Sequence, residues 1–322
     1  MLSILAITFP FFALVFAGYL AARRRMLPFE AIAGLNTFVL FFALPCMLYR
    51  FGASTPIAQM LDPVAMGVWL ACALLVVGGT VKSSMNERIR WNDASFGALV
   101  AAFPNTGFMG VPLLVALLGA QAAGPAILTI LIDLVITSSL CIALSRLDGA
   151  DQHGASAAAK KALQGVALNP MPWAILLGGL SSALAWKPVA PVMNTIGLLA
   201  DAASPVALFT IGAVLARSQF VAAQGEHGPM PARDFVPVSL TKLVLHPLLV
   251  WGAGVGVRAA GLPLDPFTLK VMVLVAALPS ASNVSLLAER FGADTGRIAR
   301  IILLTTAAAF LTFSAAVALL NG

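Results

Sequence analysis

Between Leu2 and Ala22 the chain carries no charged residue. That run is long enough to cross a bilayer, whose hydrocarbon core of about 30 Å takes about 20 apolar residues in a helix. Runs of this kind recur to the end of the chain and constrain its fold more than any other feature. Ten are delimited: 2–22, 30–51, 63–82, 93–118, 125–146, 170–187, 189–216, 236–258, 267–290 and 296–320. A bilayer offers no partner to unpaired backbone groups, so spanning segments must be helices or a closed barrel. The short alternating segments of a barrel are absent from the sequence. The reading is an all-α polytopic membrane protein with ten transmembrane helices.

Composition agrees. Of 322 residues, 60% are apolar and only 10% are charged, with a mean hydropathy of +0.96. A soluble domain carries about 25% charged residues. The net charge of +6 is not a nucleic-acid signal, because the charges sit in short runs between apolar segments rather than on one basic face. Cys46, Cys72 and Cys141 lie inside apolar stretches without metal-ligand spacing and read as small core side chains. No nucleophile–base ordering, zinc motif or Walker sequence occurs. The expectation is therefore no enzyme, no metal and no cofactor.

Basic residues orient the spans. Arg23, Arg24 and Arg25 follow the first run, which places the N-terminus outside the cytoplasm. Alternate loops then collect Lys82, Arg88 and Arg90; Arg146, Lys160 and Lys161; Arg217, Arg233 and Lys242; and Arg290, Arg297 and Arg300. Only Arg50, Lys187, Arg258 and Lys270 fall on the opposite side. Ten spans with both termini outside satisfy this segregation, and an error of one span would scramble it.

A polar stretch at 148–168 separates five spans in 1–147 from five in 169–322. The halves echo each other. Val100–Pro104 reads VAAFP and Val275–Pro279 reads VAALP, each in the fourth span of its half. Leu35–Pro45 (LNTFVLFFALP) likewise matches Met193–Pro205 (MNTIGLLADAASP) in the second spans. An odd number of spans per repeat makes the two copies inverted, an arrangement common among secondary transporters.

Spans four and nine are interrupted. FPNTGFMGVP, from Phe103 to Pro112, places two prolines and two glycines within ten residues. In the ninth, Pro279 is followed by Ser280, Ser282, Asn283 and Ser285. Each proline removes a backbone donor and crowds the preceding turn. One reading is a pair of proline kinks. The other is a pair of discontinuous helices crossing near the membrane midplane around Pro104 and Pro279. Their exposed amides, with donors from Asn105, Thr106, Ser282 and Asn283, would bind a carboxylate without a fixed arginine.

Two carboxylates lie at membrane depth, Asp133 and Asp201, and such residues are functional hypotheses by default. Asp133 reads either as an ion-coupling group or as a structural hydrogen-bond acceptor. As a coupling group it would exchange a proton, or coordinate sodium together with Thr305 and Thr306 of the tenth span. Asp201 is open between coupling and simple satisfaction by Thr195 or Ser204. Lys242 and His246 share one helix face, the lysine read as snorkelling to the membrane surface and the histidine as a packed neutral ring. Arg50 reads as a surface snorkel or an attractor of anions.

PNTGFMGVPLL from Pro104 to Leu114, LNTFVLFFALP in the second span, and AALP with the Asn283 region in the ninth together resemble the auxin efflux carrier family, which includes plant auxin exporters and bacterial malonate-transporter-like proteins. The resemblance implies two inverted five-helix repeats with a crossover of helices 4 and 9, related to bile-acid symporters and sodium/proton antiporters. It implies a scaffold of helices 1, 2, 6 and 7 that also forms a homodimer, and a mobile transport domain of helices 3–5 and 8–10. The activity implied is elevator-type secondary transport of small organic anions, malonate-like mono- or dicarboxylates, with H+ or Na+ as coupling ion. With the short central linker, the resemblance also implies a bacterial inner membrane with periplasmic termini. A receptor-like or channel-like protein on the same fold is the alternative from another class.

Overall fold

The computed structural model describes residues 2–56, 60–147, 164, 167–223 and 230–321. The described residues are helical, joined by short turns, and form no strands. In chain order the helices are α1 (Leu2–Arg23), α2 (Phe29–Ser54), α3 (Pro63–Ser84), α4 (Trp91–Ala102), α5 (Thr106–Leu118) and α6 (Ala120–Leu144). They continue with α7 (Pro170–Ala183), α8 (Ala190–Ala223), α9 (Val236–Ala259), α10 (Pro266–Ala276), α11 (Val284–Arg290) and α12 (Thr295–Asn321).

Seven of these are long and apolar enough to cross a membrane: α1, α2, α3, α6, α8, α9 and α12. The protein is thus a helical, polytopic membrane protein. The other three expected spans are not single long helices. The fourth is split into α4 and α5, the ninth into α10 and α11, and the sixth is the 14-residue α7. The central stretch 148–168 falls almost wholly outside the described residues.

Local chemistry explains the boundaries. Asn169 caps α7 by accepting from Met171 N at 3.0 Å, and Asp265 caps α10 by accepting from Thr268 N at 2.8 Å. Each is followed by a proline in the first helical position, where the missing N–H costs nothing. Three helices contain a widened π-type turn: Val39–Ala43, Thr106–Gly110 and Thr241–Leu245. Pro45, Pro112 and Pro247 follow these turns by two residues. A proline ring clashes with the carbonyl four residues back, and the extra residue in the turn relieves that clash. A fourth wide turn, Asp133–Thr137, has no proline. There the Ser138 hydroxyl donates to the Asp133 carbonyl at 2.7 Å and so enters the backbone ladder.

The chain folds as two units. The first comprises Met1–Asp62, Thr106–Leu128 and Asn169–Glu226, and so holds α1, α2, α5, the start of α6, α7 and α8. Its helices meet at small residues. A Cβ on Gly18 would lie 1.8 Å from Phe209 O, and one on Gly212 would lie 1.8 Å from Val15 O. The backbones of α1 and α8 therefore touch at two points, as small residues permit between membrane helices. Across α2 and α7, Tyr49 Oη and Ser181 Oγ are 3.0 Å apart, and Ser182 Oγ donates to Thr55 O at 2.9 Å.

The second unit comprises Pro63–Asn105, Thr129–Leu168 and His227–Gly322, with α3, α4, the rest of α6 and α9–α12. Its centre is α4 and α10. Ala94–Ala102 of α4 and Val271–Ala276 of α10 are buried on every side, and all but Ser95 of these residues are apolar or glycine. Arg297, counted above among the loop residues, is also buried. Its Nε donates to Asp234 O and its Nη1 to Asp93 O, both at 2.7 Å, and Gly97 leaves room for the guanidinium. Asp234 in turn meets Arg88 at 3.2 Å.

Candidate functional site

Within the second unit, the residues after α4 and those after α10 run antiparallel. Pro104 pairs with Ser280. Asn105 N donates to Pro279 O at 2.8 Å, and Ala281 N donates to Phe103 O at 3.0 Å. In this register neither proline nitrogen is asked to donate. The donors are Asn105, next after Pro104, and Ala281, two residues after Pro279, and the breaks satisfy each other's backbone in an apolar interior. Pro104, Asn105, Ser280 and Ser282 are buried, and Asn283 is half-buried.

Side chains of two kinds converge here. Ser280 N donates to Thr305 Oγ1 of α12 at 3.3 Å, while that hydroxyl is also bonded to Ile301 O at 2.9 Å. Thr305 therefore braces the break. Thr306 beside it is buried. The Ser280 hydroxyl is buried and makes no hydrogen bond among the described residues. Asn283 stands at the head of α11 without using its side chain to cap it. Thr106, also buried, opens α5 and belongs to the first unit.

A second polar cluster sits beneath α10. The Asp133 carboxylate is fully buried, and its Oδ1 accepts from Trp69 Nε1 and Thr137 Oγ1, each at 3.1 Å. Its Oδ2 has no hydrogen-bond partner among the described residues. Lys242 is fully buried too. Its ammonium donates to Ala276 O, the final carbonyl of α10, at 2.5 Å and lies 3.4 Å from His246 Nδ1. The charges of Asp133 and Lys242 interact. The Trp69 ring stands 5.3 Å from that of His246 and closes the cluster.

The structure thus brings Pro104, Asn105 and Pro279 together, with Thr305 behind them. Asp201 and Asp133 fall in different units. Asp201 lies in the first unit, where Arg50 Nη1 donates to its Oδ1 at 2.6 Å, and 71% of its side chain is exposed. Thr195, expected as a partner for Asp201, donates instead to Pro191 O. The snorkelling reading of Lys242 is corrected. The wide turn ahead of Pro247 carries it inside, and its ammonium ends on a helix carbonyl rather than at the membrane surface. His246 is buried as expected. Trp69 was missed altogether. One tryptophan in an apolar run carries no signal that it will hold a carboxylate.

Residues 3–317 match the family model described as membrane transport protein. The chain belongs to that family. Its relatives include the "Putative malonate transporter" of Rhizobium meliloti (strain 1021), 30% identical over 95% of this chain and 92% of that protein. "Uncharacterized transporter YfdV" of Escherichia coli (strain K12) is 27% identical over 89% of this chain and 88% of its own length. "Auxin efflux carrier component 8" of Arabidopsis thaliana is 22% identical over 86% of each. The resemblance to auxin efflux carriers therefore holds across the chain, and a membrane transporter is what the sequence encodes.

Proposed function

We propose that the protein is a secondary transporter of small organic anions, mono- or dicarboxylates of the malonate kind, bound where the two broken helices cross. The observation that carries this reading is the antiparallel pairing of Pro104–Asn105 with Pro279–Ala281. It leaves Asn105, Ser280, Ser282 and Asn283 around one interrupted backbone, with Thr106 next in the chain. Neutral donors and helix-end dipoles attract a carboxylate without the grip of a salt bridge, so the anion is released as readily as it is taken up. The name of the Rhizobium relative supports a malonate-like substrate.

The fuller reading has ten spans in two inverted repeats, the split pairs α4/α5 and α10/α11 each counting once. Helices 1, 2, 6 and 7 serve as a dimerising scaffold, and helices 3–5 and 8–10 as a transport domain moving elevator-fashion. The separate clustering of α3, α4 and α9–α12 supports this division, although α5 and the start of α6 group with the other unit. The protein sits in a bacterial inner membrane with periplasmic termini, and Asp133 couples transport to an ion.

Counterflow tests the activity. Proteoliposomes preloaded with unlabelled malonate are expected to accumulate labelled malonate transiently and saturably. Flux that rises linearly with concentration would identify a channel. A thermal-shift screen of the purified protein against mono- and dicarboxylates identifies the substrate.

A further inference from the structure

We propose that Lys242 is a tethered cation. Its ammonium occupies the position at the C-terminal end of α10 where transporters with broken helices bind a monovalent coupling ion, so the crossover of this chain is charge-balanced without sodium. The inference rests on the transporter reading above and specifies what drives it.

The argument starts from the end of α10. Pro279 has no N–H and Ser280 N donates to Thr305 Oγ1, so neither closes a turn onto the Ala276 carbonyl. The last carbonyls of a helix carry partial negative charge. In discontinuous transporter helices such ends coordinate sodium or a proton. Here Lys242 Nζ is on that carbonyl at 2.5 Å.

The surroundings are a cation's ligand set. They comprise the Ala276 carbonyl and a ring nitrogen of His246 at 3.4 Å, with the Asp133 carboxylate acting on the ammonium as a nearby buried charge. Accepting from the ammonium at Nδ1 obliges His246 to carry its own proton on Nε2. The ring is then neutral and adds no competing positive charge. Trp69 and Thr137 hold Asp133 by Oδ1 alone, and its Oδ2 makes no hydrogen bond among the described residues.

Both charged residues stand in wide turns, Lys242 in Thr241–Leu245 and Asp133 in Asp133–Thr137. Such turns recur at functional sites because they redirect a side chain that a regular helix would send elsewhere. The alternative sodium site, Asp133 with Thr305, is disfavoured. The Thr305 hydroxyl is already committed to Ile301 O and to Ser280 N. A fixed ammonium leaves a proton gradient or the substrate's own gradient as the driving force.

The test uses full-length protein in detergent and compares thermal melting in sodium, lithium and choline chloride at equal ionic strength, without substrate. Wild type is expected to melt alike in all three. Lys242→Ala is expected to melt several degrees lower in choline and to recover on adding sodium or methylammonium, either of which fits where the ammonium was. A wild type stabilised by sodium over choline overturns the proposal. So does a Lys242→Ala protein that melts alike in every salt. Lys242→Met is the second variant if the alanine form does not fold. Should neither fold, the wild-type arm decides, together with uptake into proteoliposomes with and without an imposed sodium gradient. Sodium-stimulated uptake overturns the proposal, and sodium-indifferent uptake supports it. The melts need no substrate, so they stand apart from the carboxylate reading, which fails if no carboxylate shifts the wild-type transition.

Discussion

Asn105 and Asn283 flank the paired breaks from opposite chain segments, and in the proposed transporter each would offer an amide to a bound carboxylate. Replacing either by alanine removes one hydrogen bond to a charged group, about 1.5–3 kcal/mol, or roughly ten- to a hundredfold in affinity. Titration calorimetry with the substrate from the thermal-shift screen is expected to read that loss while the melting temperature stays near wild type. Asp133 behaves differently, because its charge has Lys242 for company. Asp133→Asn removes the buried negative charge that interacts with Lys242 and is expected to lower the melting temperature. The double variant Asp133→Asn with Lys242→Met is expected to melt above Asp133→Asn alone. In proteoliposomes, Asp133→Asn is expected to keep exchange of substrate and to lose accumulation driven by a proton gradient. Accumulation at the wild-type level would make Asp133 structural. Of these residues, Asn105, Asp133 and Asn283 were legible because polar groups in apolar runs stand out. Lys242 was misread because a lysine near a span's end has a cheaper explanation, and only the turn before Pro247 reveals where it goes.

At the scale of elements, seven of the ten apolar segments became long helices, and the breaks at Pro104 and Pro279 were legible because proline acts locally. The register that pairs them was not, since it depends on residues far apart in the chain. Nor was the wide turn at Asp133, which arises from one serine hydroxyl entering the backbone ladder. Close helix contacts were equally silent in sequence: Gly18 and Gly212 look like any membrane glycines until α1 and α8 are seen in contact. Gly212→Leu drives a side chain into the Val15 carbonyl. Forced overpacking costs about 1–3 kcal/mol where neighbours can adjust. Here the obstacle is backbone, so a drop in melting temperature at least on that scale is expected. Gly197→Leu, on the same helix with open space at its Cβ, is the control and is expected to melt as wild type.

For the molecule as a whole, orientation in the membrane is the open quantity, and labelling settles it. Glu87, between α3 and α4, and Lys187, between α7 and α8, are both exposed. Cysteines at these two positions, in a background lacking Cys46, Cys72 and Cys141, are expected to react from opposite sides, Glu87→Cys from the cytoplasm and Lys187→Cys from outside. Labelling from one side by both would defeat the ten-span topology. A different consequence follows from the pairing of Pro104 with Ser280. The partners are 176 positions apart in the chain. A ribosome adding about 5–20 residues per second needs roughly 10–35 s to travel from one to the other. During that interval the newly inserted first half holds Asn105 N–H and Phe103 C=O without the acceptor and donor they will have at the end. The nascent chain must shelter those groups, whether by borrowing water or an insertion factor, and a chain that stops after α6 never relieves the need. Such a truncation is a natural substrate for membrane quality control, and pulse-chase experiments are expected to find it degraded while the complete chain persists.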